Sequence, residues 1–295
     1  HKVHDRNGVA HFIASDDADA AVLVRDLIDH LPSNDGERAP RWRSSDPPGY
    51  GAGEPVPDDE RKVYDVRDVV RGLVDGGRLL EYAPRWARNV VCGFARLDGR
   101  AVGVVANQPK YLGGVLDADS GTKAARFVRT CNAFGLPLIV LVDTPGFMPG
   151  TKQEQGGVIR HGAKLVHAFA EASVPRVTVV LRKAFGGAFI AMNSRDLGAD
   201  YVFAWPRATL GVMGAKQAVG IVNRRDIAAA EDPDAVRNEF AERYTTEHLS
   251  AGVAAAEGYV DEVVPPSDTR RRLCEALSTL DAIARPAHGV RNIPL

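Results

Sequence analysis

The sequence predicts an α/β layered fold on a largely parallel sheet. Segments with helical apolar spacing alternate with short apolar runs along most of the chain. Two of those runs, LPLIVLVD and VPRVTVVLR, are nearly continuous in apolar residues, the mark of strands buried on both faces. Three strand exits carry glycine, where ligands gather in such folds.

Residues 17–31, DADAAVLVRDLIDHL, space Ala21, Val22, Val24, Leu27, Ile28 and Leu31 as a helix does. Residues 32–62 are rich in Pro, Gly and charge and read as a linker or surface strap. The aromatic residues Trp42, Tyr50 and Tyr64 suggest that this segment docks on something. YDVRDVVRGLVD reads as a helix ended by Gly76 and Gly77. VVCGFARLDGRAVGVVANQP reads as two strands joined by a tight Asp98-Gly99 turn. TKAARFVRTCNAFG is a helix closed by Gly135, and LPLIVLVD is the buried strand that follows. VIRHGAKLVHAFAEAS is the next helix, VPRVTVVLR the next buried strand, and DYVFAWP and ATLGVM two shorter strands. The remainder, roughly 214–284, is mainly helical.

The 295 residues suffice for one large domain or two modest ones. Lys+Arg (37) and Asp+Glu (38) nearly cancel, which argues against nucleic acid as a partner. No apolar run approaches the roughly 20 residues that span a bilayer. The opening residues lack a signal-peptide pattern, so a cytoplasmic protein is expected. Cys92, Cys131 and Cys274 are odd in number and far apart, so buried thiols are the simple reading and no metal site is expected.

In VTVVLRKAFGGAFIAM a strand runs through Gly186 and Gly187 into what reads as a helix. The first N–H groups of a helix lack partners and carry partial positive charge, and glycine lets another atom approach them. Such donors can stabilise charge growing on a carbonyl oxygen. The same glycine pair also serves plain tight packing. Asp143, Pro145, Gly146 and Gly150 follow the strand LPLIVLVD, and Gly214 opens another apparent helix. Asp143 could be a general base, although Asp before Thr-Pro-Gly more often forms a turn. His161 and His167 are six apart in a helix, on different faces, so a shared metal is not expected. Nucleophile-elbow and zinc-protease motifs are missing. The tools left to an enzyme here are mostly backbone dipoles.

The stretches YAPRWARNVVCGFARLDGRAVGVVANQP, LIVLVDTPGFMPGTKQEQGGVIRHGAKL, RKAFGGAFIAMNS, DYVFAWPRATLGVMGAKQAV and the terminal NIPL resemble the carboxyltransferase β subunit of biotin-dependent acyl-CoA carboxylases. The resemblance implies a crotonase-like (ClpP/crotonase) spiral ββα superhelix. Residues 63–295 correspond to the C-terminal carboxyltransferase domain, residues 1–31 to the tail of an N-terminal one, and 32–62 to the linker. The family match also assigns roles. The N–H groups of Gly187 and Ala188 hold the biotin ureido oxygen, and Gly186 gives clearance beside the ring. Carboxybiotin releases CO2, and the resulting biotin enolate takes the α-proton of the acyl-CoA. The thioester enolate, held by the other domain's oxyanion hole, attacks CO2. Ile190 faces the acyl pocket, with Gly146, Phe147 and Gly150 at its floor and Gly214 nearby. Implied partners are acyl-CoA, a biotin carboxylase and biotin carrier subunit, and further copies in a dimer-based hexamer. The implied product is malonyl-CoA or methylmalonyl-CoA, for fatty-acid and lipid synthesis. A sodium-pumping acyl-CoA decarboxylase, or a scaffold subunit with the same fold, are the rival readings. The helices at Val158–Phe169 and Ala215–Val222 serve either an interface or the core.

Overall fold

The computed structural model describes residues 3–34, 36–49 and 51–281; Tyr50 and the NIPL terminus lie outside them. Its strands are β1 (Leu79–Tyr82), β2 (Val90–Leu97), β3 (Arg100–Asn107), β4 (Leu138–Thr144), β5 (Arg176–Phe185), β6 (Tyr201–Ala204), β7 (Thr209–Gly211) and β8 (Glu262–Val263). They form one sheet in the order β1-β2-β3-β4-β5-β6-β8, with β7 paired to the far end of β5. The β1-β2-β3 pairings are antiparallel and the remainder parallel. The expected parallel core is therefore present, with an antiparallel edge that includes β1, a strand absent from the sequence reading.

The helices are α1 (Asp17–Asp29), α2 (Val66–Arg71), α3 (Ala118–Ala133), α4 (Thr151–Gln155), α5 (Val158–Glu171), α6 (Gly186–Ala191), α7 (Ala215–Val222), α8 (Arg224–Ala229), α9 (Pro233–Tyr244), α10 (Ala251–Ala256) and α11 (Thr269–Asp281). Alternation along β4 divides the core. Leu138, Val140 and Val142 pack with Phe127 of α3 and Leu165 and Phe169 of α5. Ile139 and Leu141 join Val66 and Val70 of α2 and Leu273 and Leu277 of α11 on the other face. Both faces are covered by helices, which is why β4 reads as an unbroken apolar run.

The Asp98-Gly99 turn joins β2 to β3 with φ of 52° and 73°, the paired left-handed values of a tight hairpin. The Asp75 carboxylate accepts its N–H groups at 3.1 and 2.7 Å. Helix α2 stops at Gly72, short of the expected Gly76 and Gly77. Ala52 of the strap lies against Gly72, where a Cβ would meet its Cα at 2.9 Å, so position 72 has no room for a side chain. The strap is docked. Trp42 stacks over Arg96 at 4.1 Å and donates its N–H to the Gly99 carbonyl at 2.9 Å, and Tyr64 is buried. Helix α1 buries no residue completely, and Val22, Val24 and Ile28 of its apolar set face outward. Phe12, Leu27 and Leu31 pack on the core instead.

Helix α5 buries Val158, Leu165, Ala168 and Phe169 and leaves Ile159 exposed. Helix α7 buries Ala218 and Val219 and leaves Ile221 and Val222 exposed. Both therefore serve the core while keeping an apolar edge outside.

Candidate functional site

Strand β5 ends at Phe185, and the chain turns at once into α6. Gly186 makes the turn at φ 60°, a left-handed value that a side chain resists. A Cβ there would also stand 3.2 Å from the Val212 carbonyl oxygen. Gly186, Gly187 and Ala188 occupy the first turn of α6, so their N–H groups find no carbonyl one turn back. Gly187 is exposed and Ala188 is buried, which leaves the Gly187 backbone open to an approaching atom.

The second strand exit meets the first here. Gly146 (φ 141°) and Gly150 (φ 116°) bracket Phe147 after β4. Leu116 donates its N–H to the Gly146 carbonyl at 3.1 Å, and Met148 donates to the Leu116 carbonyl at 2.7 Å. These bonds fix Phe147 between α5 and α6. Its ring lies 3.0 Å from the Cβ position of Gly162 and 3.8 Å from that of Gly187. The third exit lies on the other side. Gly214 opens α7 with its Cβ position 3.6 Å from the Phe185 ring. A cavity of about 1090 Å³ runs beside the turn, lined by Pro145, Lys183, Phe185, Gly214 and Gln217, with the strap's Asp58 and Glu60 as one wall. Ile190 is 46% exposed on α6, so it is not a core residue.

Asp143 differs from both readings offered by its local sequence. It is fully buried and forms no turn. Its carboxylate accepts the Tyr64 hydroxyl at 2.9 Å and Arg182 Nε at 3.0 Å, and the Lys183 N–H at 3.3 Å. Burial pushes the Asp143 carboxyl up, against the pull of Arg182, Lys183 and the Tyr64 hydroxyl. Burial and the neighbouring carboxylate together push Tyr64 well up, so it remains a donor. Tyr64, Asn107, Arg182 and Lys183 complete this network without any local sequence signal. Their partners lie tens of positions away, so no local spacing announces them.

His161 and His167 are apart, as their spacing implies. His161 Nδ1 is 3.2 Å from Thr122 Oγ1, and His167 Nδ1 is 3.8 Å from Glu171. Among the described residues no cluster of three or more His, Cys, Asp or Glu could hold a metal ion, and no helix is long and apolar enough to cross a membrane.

The carboxyl transferase domain profile matches residues 1–292. The chain belongs to the carboxyl transferase domain family. Among solved structures of that family, the transcarboxylase 12S hexamer with methylmalonyl-coenzyme A and methylmalonic acid bound superposes with a TM-score of 0.93 at 46% identity, covering 100% of this chain and 57% of the other. The methylmalonyl-CoA decarboxylase subunit alpha of Propionigenium modestum is 45% identical, over 98% of this chain and 57% of that protein. The propionyl-CoA carboxylase beta chain of Saccharopolyspora erythraea is 46% identical, over 99% and 57%. The chain thus spans a little over half the length of the carboxyl transferases it matches. The crotonase-like α/β fold implied by the DTPGFMPG and KAFGGAF motifs is the fold observed.

Proposed function

We propose that this chain is the biotin-facing domain of an acyl-CoA carboxyltransferase, which moves a carboxyl group between biotin and the α-carbon of a short-chain acyl-CoA. The observation that carries the reading is the Gly186-Gly187-Ala188 turn, with uncommitted first-turn donors, an exposed Gly187 and the Phe147 ring beside it. Biotin fits these residues. Its fused ring is largely apolar and suits Phe147, while its ureido oxygen needs donors that the turn supplies. When bound, carboxybiotin supplies the carboxyl group and an oxygen that gains charge as that group leaves.

The Gly187 and Ala188 N–H groups hold this oxygen, and the fixed turn spares the site any reorganisation as charge builds. Loss of one such donor costs about 10²–10³ in kcat. Phe147 orients the ring, and Ile190 meets the acyl chain with Gly146 and Gly150 beneath it. The turn holds no titratable side chain. Its work is binding, orientation and charge stabilisation.

We read residues 1–31 as the tail of a preceding CoA-binding domain, 32–62 as the linker and 63–295 as the biotin-facing domain. The propionyl-CoA carboxylase relative favours propionyl-CoA as acceptor. With it we propose acetyl-CoA as the alternative acceptor, a biotin carboxylase and carrier subunit as partner, and a cytoplasmic role in lipid synthesis. The hexamer of the transcarboxylase relative supports a hexamer here, which we read as built from dimers. The decarboxylase relative favours the opposite direction of transfer as the second reading. The test is run on the longest form of the polypeptide that its gene encodes, supplied with biotin and either methylmalonyl-CoA or malonyl-CoA. Acyl-CoA release that depends on biotin is expected. Gly187→Val should abolish it without unfolding the chain, because the Cβ would meet only the Phe147 ring, at ordinary contact distance. Transfer retained in that variant would sink the oxyanion assignment.

A further inference from the structure

The β4–β5 ladder loses register just before both strands leave the sheet. Val142 pairs with Val180, yet Thr144 pairs with Ala184. Asp143 therefore stands opposite Leu181, Arg182 and Lys183. Such a break strips backbone groups of ladder partners and re-aims the chain beyond it. Side chains replace the ladder here. The Asp143 carboxylate takes the Lys183 N–H at 3.3 Å, and Asn107 Oδ1 takes the Asp143 N–H at 3.3 Å. Asn107 Nδ2 donates onward to the Gly114 carbonyl at 3.2 Å. The other carboxylate oxygen accepts Tyr64 and Arg182, and Arg182 Nη1 donates to the strap carbonyl of Lys62 at 2.9 Å. Asp143, Asn107, Tyr64 and Arg182 are all buried.

Both chain exits begin within a few residues of this break. Gly146 and Phe147 follow Thr144, and Gly186 and Gly187 follow Ala184. We infer that Tyr64, Asp143 and Arg182 form a positioning device that holds the register break and so sets the angle at which Gly186–Ala188 leaves β5 to stand against Phe147. The same device ties the strap wall of the adjoining cavity to the strand ends, since Arg182 bonds the carbonyls of Asp59 and Lys62. Its catalytic consequence rests on the function proposed above; its structural consequence does not. A displacement of about 1 Å in positioned donors can cost about 10²-fold in rate. An interaction felt only in the transition state lowers kcat and leaves KM alone.

Tyr64→Phe removes a single hydroxyl. It keeps the ring that lies 5.1 Å from the Arg182 guanidinium. Asp143→Asn keeps the shape but turns an amide donor toward groups that are themselves donors. Amide hydrogen exchange on this chain and carboxyl-transfer kinetics are measured together. In Tyr64→Phe, exchange at the hydrogen-bonded amides of Asp143, Lys183 and Met148 should quicken about tenfold, while β2 and α3 keep their protection. Asp143→Asn should give the same pattern, more strongly. In Tyr64→Phe, kcat should fall about tenfold with KM for biotin nearly unchanged, in a chain whose urea midpoint drops but which stays folded under assay conditions. Exchange that quickens everywhere alike, or nowhere, overturns the device. So does a kcat that falls only as far as the folded fraction. Local quickening in a protein that never transfers carboxyl groups would support the device and remove the proposed function.

Discussion

Gly114→Ala tests the packing under the site most directly, because Gly113→Ala beside it is a built-in control. Both glycines have left-handed φ, 63° at Gly113 and 79° at Gly114. A side chain in that region costs about 1–2 kcal/mol by itself. At Gly113 nothing lies within 4 Å of the Cβ position, so strain is the whole effect. At Gly114 the Cβ would fall under 3.0 Å from the Asp143 carbonyl oxygen, a backbone atom that cannot swing aside. Forcing backbone apart in a filled interior adds about 1–3 kcal/mol. Gly114→Ala should therefore cost about 2–5 kcal/mol, and Gly113→Ala about 1–2 kcal/mol. Urea unfolding reads the difference as a shift in midpoint at constant slope. The two variants should also separate in activity, since only Gly114 presses on the residue that carries the register break. Equal destabilisation by both would refute the close approach of Gly114 to Asp143, and with it the account of how this region is held.

Three further outcomes follow from buried groups. Lys123 is fully buried and donates to the Trp86 and Val90 carbonyls at 3.0 and 2.8 Å. Lys123→Met should cost about 3 kcal/mol in urea unfolding by leaving those acceptors bare. Burial pushes the Cys92 thiol up to about 12 and Cys131 well up. A disulfide reagent at pH 8 should then label at most Cys274 in the native chain and all three cysteines after unfolding. Burial, aided by Arg96, holds His30 below 6.5 against the pull of Asp26 and Asp29. The unfolded chain then binds more protons between that lowered value and 6.5, so stability present above 6.5 is lost as pH falls through this window. His11 and His161 shift the same way, so His30→Gln should remove part, not all, of that slope.

The elements that rest on nearest-neighbour chemistry were legible. The Asp98-Gly99 hairpin, the β4 run and the helix closed by Gly135 follow from turn residues and apolar periodicity alone. The miscues arise where the local pattern is faint or where the deciding contact comes from elsewhere in the chain. Helix α2 ends at Gly72, a position that Ala52 of the strap leaves no room to fill. Strand β1 is a half-buried edge of four residues whose partner β2 begins eight positions later, so its own pattern is faint. Val22, Val24 and Ile28 have helical spacing, yet α1 turns them away from the core.

Asp143 shows most clearly how local grammar misleads. Asp-Thr-Pro-Gly asks for a turn, yet Asp143 stays within β4, and the positive φ that follows lies at Gly146. The register break makes the difference. A strand that must deliver Thr144 opposite Ala184 leaves the Lys183 N–H without a ladder carbonyl, and a buried donor left alone costs about 1–3 kcal/mol. A carboxylate at the break satisfies that donor and has capacity left for Arg182 and Tyr64. Serine or asparagine could bond the Lys183 N–H but could not balance the buried guanidinium as well. The identity of residue 143 is thus set by two residues of β5 and by Tyr64, just beyond the strap. A site whose donors are backbone N–H groups has no side chain of its own to aim. Its aim must come from whatever fixes the backbone behind it, and in the proposed site that is a buried carboxylate.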